Sequence, residues 1–458
     1  MYPVRPPYEL MQYQRDAVQR MAPRARYGLH DEMGVGKTAT VIGALDALGA
    51  KRFYIVVPAH LRTNWIREFG KFSAYQRRIV KAQSVNDVKA WQMYRFDGMV
   101  ISYEQATKYE EMLRMAGPVE VIAFDEAHYL KNLNATRTKK LLGEQADSGI
   151  VEWADHAWHV TGTPMANDPM DIYTFLRMCH ATPLTAPEFV RRYFHARLGA
   201  FSTRCDPKPE MVPELKYLID NNSIRRTKDE VGLQLPPIFL TSAFVDGELE
   251  AVKQMLREHP GLDKAIRNAL EGGSLSFLDN QHVATLRRLL GEAKSIPYAH
   301  MLVDELRTDP SKRVVFGVHK AALANIVHAL RQHQIGCRLF TGDSSAKEKD
   351  EAEHAFMTDP NCRVIVGNIR AMGTGLTLTS AFRIDMFESD WSPAGNAQAI
   401  MRVHRIGQTR TVHGRFISLA SSFDEVVTEI VAEKTAAIAR IEGNFMQAAP
   451  VDALEKYV

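Results

Sequence analysis

The sequence predicts an α/β chain built as two tandem parallel-sheet lobes with a small helical insertion between them. Three observations predict it. Short β-rich apolar runs alternate with amphipathic helical stretches in the first third of the chain. The same alternation resumes in the final third, after a long helical stretch. The chain also has 458 residues, too many for one ordinary core. The expected divisions are 1–240 for the first lobe, with a helical extension from about 167, and 241–441 for the second lobe, which opens with helices. Residues 442–458 read as a poorly tied tail.

Composition narrows the function class. Hydrophobic residues make up 45% and charged residues 24%, a globular balance. No apolar run approaches membrane-spanning length, so a membrane role is not expected. Met1 to Leu10 is proline-rich and lacks a signal peptide's apolar centre. Cys179, Cys205, Cys337 and Cys362 have no paired spacing, which argues against a zinc site or disulfide framework and fits a reducing cytosol. The net charge of +3 announces no global affinity for nucleic acid, so any such binding must be local.

In chain order, Tyr8 to Met21 reads as an amphipathic helix. It carries Gln14, whose amide has the donor and acceptor to read an adenine edge; a solvated helix glutamine is the other reading. Next comes Asp31-Glu32-Met33-Gly34-Val35-Gly36-Lys37-Thr38, feeding an apolar helical run that Gly49 stops. This reads as a phosphate loop. Gly34 and Gly36 let backbone N–H groups curl round phosphate oxygens. Lys37 would reach the β- and γ-phosphates of a nucleotide, and the Thr38 hydroxyl would reach Mg²⁺. Asp31 stands where a general phosphate loop has its first glycine.

Phe53 to Pro58, Val100 to Tyr103 and Val119 to Phe124 read as buried parallel strands. The last runs into Asp125-Glu126-Ala127-His128, acidic residues at a strand's C-terminal end, where open α/β sheets bind ligands. Asp125 is placed to hold Mg²⁺, and Glu126 to orient or deprotonate an attacking water. A fourth strand, Trp158 to Val160, leads into Thr161-Gly162-Thr163-Pro164, a candidate coupling turn. From Asn167 to Pro237 the pattern is helical and irregular. Its basic pairs, Arg191-Arg192 and Arg225-Arg226, either touch phosphate or form solvated faces. Leu235-Pro236-Pro237 marks a boundary.

Residues 245–309 look helical. Strands are then expected at Arg313 to Val318, Gly336 to Thr341, Cys362 to Val366, Arg383 to Phe387 and His413 to Leu419. The helix expected at Gly395 to Val403 carries Gln398 and Arg402, with Arg405 just after. Arginines brought to the γ-phosphate would neutralise transition-state charge, an effect worth roughly 10³–10⁵ in rate.

These stretches, with the run Gln398 to Gln408, resemble helicase superfamily two, and more closely the Swi/Snf family of ATP-driven DNA translocases. His404-Arg405-Ile406-Gly407-Gln408 is the most specific match, and Asp31 in place of glycine is usual for that family. Ile224 to Lys228, Gly373 to Leu376 and Asp390 to Pro393 also fit. Phe316 to Lys320 and Asp125 to Asn132 are similar to the annealing-helicase branch. The lean chain suits a bacterial or phage-encoded motor acting in the cytoplasm, at the nucleoid or in a host.

The resemblance implies two RecA-like lobes and ATP with Mg²⁺ as cofactors. It implies that Gln14, Gly34, Val35, Gly36, Lys37 and Thr38 hold the nucleotide, and that Lys37, Asp125, Glu126, Arg402 and Arg405 are catalytic. His128, Thr161, Thr163 and Gln398 would couple hydrolysis to movement. Pro58, Arg62, Ser102 and Tyr103 would touch DNA from the first lobe, and His319, Lys320, Thr341, Gly342 and Thr374 from the second. The partner implied is double-stranded or branched DNA, gripped by a monomer. Three activities are consistent with the residues: a duplex translocase, a strand-separating DNA or RNA helicase, and a nucleic-acid scaffold with a silent ATPase. The intact catalytic set argues for the first two.

Overall fold

The computed structural model describes residues 9–143, 149–162, 164–165, 169–198, 203–271, 281–373, 376–391, 393–441 and 446–448. They form two units, Met1–Gly232 and Leu233–Val458. Each is built on its own parallel sheet.

The strands of the first unit are β1 (Arg26–Leu29), β2 (Phe53–Val57), β3 (Ile79–Lys81), β4 (Gly98–Ser102), β5 (Val119–Asp125), β6 (Ala154–Val160), β7 (Phe194–Leu198), β8 (Thr203–Pro207) and β9 (Ser223–Ile224). Seven of them form an all-parallel sheet in the order β3-β4-β2-β5-β6-β1-β9, and β7 and β8 make a separate antiparallel hairpin. β2 shows why its sequence is apolar throughout. Tyr54 and Val56 enter the core on one face of the sheet, while Phe53, Ile55 and Val57 enter the core on the other. A strand covered on both faces has no position for a polar side chain. β1, β3, β9 and the hairpin are too short or too mixed in composition to stand out from the sequence. The stretch read as helical and irregular from Asn167 to Pro237 contains, among its irregular parts, β7, β8 and β9.

The second unit contains β10 (Ile238–Val245), β11 (Arg313–Gly317), β12 (Cys337–Phe340), β13 (Val364–Asn368), β14 (Arg383–Met386), β15 (Val412–Leu419) and β16 (Met446–Ala448). Their order is β12-β13-β11-β14-β15-β10-β16, again all parallel. The helices Glu250–Glu258, Leu262–Glu271 and Gln281–Thr308 precede β11, as expected.

Two boundaries move. A division at 240 would cut β10, which pairs with β15 from Ile238↔Val412 to Val245↔Leu419. Eight continuous register pairs bind that strand to the second sheet, so the second unit starts before it. Within the expected tail, Met446–Ala448 pairs with β10 as an edge strand. The other tail residues lie outside the described set.

Candidate nucleotide site

The first sheet brings three strand ends into one row. Leu29 pairs with Val160, and Val160 pairs with Asp125. The phosphate loop, the Thr161 turn and the acidic pair therefore leave the sheet at the same level from three adjacent strands.

After β1 the loop passes through Gly34 at φ 89° and Gly36 at φ 83°, both left-handed. Gly36 is the N-cap of the helix Lys37–Leu48. A Cβ at Gly36 would also sit 2.4 Å from Gln14 Nε2, so glycine is required twice over. The helix Gln12–Met21 braces the loop. The Tyr13 hydroxyl donates to the Val35 carbonyl at 2.8 Å, and Gln14 Nε2 donates to the Val35 and Gly36 carbonyls at 3.2 and 3.4 Å. Gln14 Oε1 accepts the Met11 N–H. Burial, then the charge of Asp31, pushes the Tyr13 phenol up to about 12 against the pull of Arg226, so it remains a donor. Lys37 Nζ donates to the carbonyls of Asp31 and Glu32 at 2.9 and 3.1 Å. Thr38 is half-buried in the first turn of the helix.

Asp125 ends β5 and is buried. Its Oδ2 accepts Trp65 Nε1–H at 2.7 Å, its Oδ1 accepts the Glu126 N–H at 3.0 Å, and its carbonyl accepts the Tyr103 hydroxyl at 2.9 Å. Burial first, and then the neighbouring Glu126 charge, raises Asp125 to about 7, while the Trp65 hydrogen bond and the Lys37 charge oppose the rise. Glu126 adopts φ 52°, a left-handed conformation uncommon for a side-chain-bearing residue. His128 Nδ1 lies 3.3 Å from Glu126 Oε2 and 3.3 Å from Thr161 Oγ1. Burial holds its pKa below the usual histidine range. The Thr161 N–H bonds the Leu29 carbonyl at 3.1 Å. A Cβ on Gly162 would lie 2.6 Å from Met33 and 3.3 Å from Lys37 Nζ. The acidic pair, His128, the Thr161 turn and the phosphate loop are thus in contact in sequence. Thr163 lies outside the described residues.

The basic stretch before the unit boundary does not lie on a helix: Arg225 is exposed, Arg226 half-buried and Lys228 buried. It lines the start of the phosphate loop. Arg225 Nη1 donates to the His30 and Gly162 carbonyls at 3.2 and 3.3 Å. Arg226 forks onto the Asp31 carboxylate, with Nε to Oδ1 at 3.1 Å and Nη2 to Oδ2. Lys228 Nζ sits 2.9 Å from Glu32 Oε1, and both side chains are nearly inaccessible. Arg192 of the other pair meets Glu214 in an exposed ion pair. Behind the loop, His30 Nε2 and His159 Nδ1 are 3.0 Å apart, fully enclosed and packed on Phe175. Sequence reasoning missed Trp65 and the histidine pair as parts of this site, and left Arg225 and Arg226 between phosphate contact and a solvated face without foreseeing that Arg226 and Lys228 pair with the loop's own carboxylates. The acidic Asp31-Glu32 pair, which needs counter-charges, was the signal for the cations. Nothing in its helical spacing marks Trp65 as more than core.

The expected first-lobe DNA contacts are mostly committed within the fold. Pro58 and Ser102 are buried, and the Ser102 hydroxyl caps the helix Tyr103–Lys108. Tyr103 is fully buried, so its expected contact with DNA gives way to support of Asp125. Arg62 bonds Gln105 Oε1 at 2.7 Å and the Ala59 carbonyl at 3.0 Å.

In the second unit the helix carrying Gln398 spans Pro393–Ile400, shorter than expected, and Arg402 and Arg405 lie in the turns after it. Arg402 Nε donates to the Gly373 carbonyl at 2.9 Å, and Arg405 Nη1 to the Leu376 carbonyl at 3.0 Å. His404 Nε2 bonds the Pro236 carbonyl at 2.7 Å, and buried Gln408 ties the Ala381 carbonyl to the Arg410 N–H. His319 Nδ1 meets Glu388 Oε1 at 2.6 Å, and Glu388 also accepts the Val318 and His319 N–H groups. Lys320 pairs with Asp343, Gly342 is exposed, and Thr341 is nearly covered. Thr374 lies outside the described residues.

The donor set suits Mg²⁺, which takes one or two carboxylates and completes its shell with phosphate and water. Each Asp125 oxygen accepts one hydrogen bond and keeps a further acceptor site, and Thr38 supplies a hydroxyl. Among the described residues there is no group of three or more His, Cys, Asp or Glu arranged to hold a metal. No helix among them is long and apolar enough to cross a membrane.

A glycine-rich loop after one strand and an acidic pair at the end of the next strand but one suit a nucleoside triphosphatase, here in a chain of two parallel sheets as in helicase-like proteins. Residues 13–255 match the SNF2-related domain, and residues 298–407 match the helicase conserved C-terminal domain. The chain therefore belongs to the SNF2-related family of helicase superfamily two.

It is 28% identical over 446 residues to the DNA annealing helicase and endonuclease ZRANB3 of Bos taurus, covering 93% of this chain and 40% of that protein. It is 27% identical over 458 residues to the SWI/SNF-related matrix-associated actin-dependent regulator of chromatin subfamily A-like protein 1 of Xenopus laevis, covering 96% and 45%. The chain thus spans less than half the length of these relatives. It is also similar to the Sulfolobus solfataricus SWI2/SNF2 ATPase core in complex with dsDNA, at 18% identity, a TM-score of 0.43, and coverage of 97% of this chain and 98% of that one.

Proposed function

We propose that this chain is a DNA-dependent ATPase that moves along double-stranded or branched DNA as a monomer. The observation that carries the reading is the connected row at the end of the first sheet: Lys37 on the loop, Asp125 and Glu126 at the strand end, and His128 bridging to Thr161. Family membership and the names of the relatives support DNA as the polymer.

In this reading Gly34, Val35, Gly36 and Lys37 bind the triphosphate, and Gln14 reads adenine while bracing the loop. Thr38 and Asp125 hold Mg²⁺, which when bound neutralises phosphate charge. Glu126 orients the attacking water and takes up its proton. His128 and Thr161 transmit the state of Glu126 to the turn that includes Thr163. Arg402 and Arg405 supply transition-state charge, and Gln398 couples that charge to movement. Exposed Lys320 and Gly342, with His319, Thr341 and Thr374, contact the DNA backbone from the second lobe; of the first-lobe set only half-buried Arg62 keeps that role, since Pro58 and Ser102 are buried. Such contacts are sequence-independent and weaken with salt.

The test is ATP turnover by the full chain on duplex, forked, branched and single-stranded DNA and on RNA, with Lys37→Ala as the blank. Stimulation by duplex, with triplex displacement but no unwinding, is the expected result. Turnover no higher than the Lys37→Ala blank would leave a scaffold. Unwinding of a forked substrate would make the chain a strand-separating helicase.

A further inference from the structure

The phosphate loop opens with two carboxylates, Asp31 and Glu32, each about 1% exposed. Two buried negative charges beside a polyphosphate site oppose its ligand and are costly in themselves unless paired. Their side chains are paired, by Arg226 and Lys228, almost two hundred residues downstream. The backbone continues the connection. The Glu32 N–H bonds the Arg226 carbonyl at 2.9 Å, and the Lys228 N–H bonds Glu32 Oε2 at 2.8 Å. The carbonyls of the same two acidic residues receive the Lys37 ammonium.

We infer that Arg226 and Lys228 are positioning residues of the nucleotide site, acting through Asp31 and Glu32 on Lys37. They do two things. They cancel the negative charge at the mouth of the loop, and they fix the two carbonyls that aim Lys37. Arg225 adds a third tie, joining the His30 and Gly162 carbonyls. All three cations lie within the last eight residues of the first unit, so the segment that ends this unit also braces the loop. The sequence departure at Asp31 and the basic stretch at 225–228 are thus two halves of one device.

The inference rests on the nucleotide-binding reading above. It is tested on the full chain with Lys228→Met, Glu32→Gln and the double variant Glu32→Gln/Lys228→Met. Equilibrium binding of a fluorescent ATP analogue is read first, then KM and kcat with duplex, then thermal unfolding without nucleotide. Lys228→Met leaves one uncompensated carboxylate and is expected to weaken nucleotide binding on the order of tenfold or more, since each uncompensated unit charge in a partly buried site acts at low effective dielectric. The double variant removes both charges and should regain binding to within about threefold of wild type. Glu32→Gln alone should bind nucleotide at least as tightly as wild type, and it decides the question if Lys228→Met does not fold. Equal loss in Lys228→Met and the double variant, or weakened binding in Glu32→Gln, overturns the inference. Wild type that binds no nucleotide overturns the ATPase reading itself, a result separable from the other two.

Discussion

Replacing Trp65 by phenylalanine removes one N–H from the buried carboxylate that the proposed chemistry needs. Trp65 is 1% exposed, and its Nε1–H is 2.7 Å from Asp125 Oδ2. A hydrogen bond to a charged group contributes about 1.5–3 kcal/mol, and the smaller ring adds a packing loss of about 1 kcal/mol, so stability should fall by about 2.5–4 kcal/mol. The larger consequence is for Mg²⁺. The indole orients Asp125 from behind, and removing such a partner of a metal ligand typically costs about 10–100-fold in metal affinity or activity.

The assay is ATP turnover with duplex across a Mg²⁺ titration, beside urea unfolding. Phe69→Leu is the control. Phe69 sits 6.0 Å from Trp65 between ring centroids, on the same helix, but donates nothing to Asp125. It should lose stability while keeping the Mg²⁺ midpoint. If Trp65→Phe also keeps the Mg²⁺ midpoint and turnover, the indole is a packing residue, and the assignment of Asp125 as a metal ligand loses its support.

Gly36→Ala meets both a left-handed backbone at φ 83° and the Gln14 amide, so it should abolish measurable nucleotide binding in a fluorescence titration while the second unit still unfolds normally. Acid should destabilise the first lobe early. Burial holds His30 well below the ordinary 6.5 and His159 down at about 3. The unfolded chain therefore takes up protons first as pH falls, and the stability from keeping both rings neutral is complete above pH 6.5. For His159 it is lost toward pH 3 at about 1.4 kcal/mol per pH unit, and His30 adds a loss of the same sign below pH 6.5, readable from urea midpoints across that range. Lys320→Ala should weaken duplex binding evenly across sequences and flatten the salt dependence by about one unit in the log–log slope, measured by anisotropy. An unchanged slope would remove Lys320 from the DNA surface.

The catalytic stretches were legible because their chemistry is local. A glycine, a lysine and a threonine in one turn, or two acids after an apolar run, carry their meaning within eight residues. The long buried strands were equally plain, since both faces of β2 and β5 are covered and admit few polar residues. Short edge elements such as β3 and β9 were hidden, because a two- or three-residue strand takes its partners from the sheet rather than from its own pattern.

What sequence order could not convey was which distant side chains serve the site. Trp65, at helical spacing with Leu61, Ile66 and Phe69, carries only the pattern of a core residue and is also a donor to Asp125; Tyr103 reads as a DNA contact and lies fully enclosed. Arg226 and Lys228, in a basic stretch read as either a phosphate contact or a solvated face, prove to be the counter-charges of Asp31 and Glu32. Only folding brings residues about 195 apart within hydrogen-bonding reach. Burial then sets the roles, because a charge removed from water must find its partner wherever the chain can deliver one.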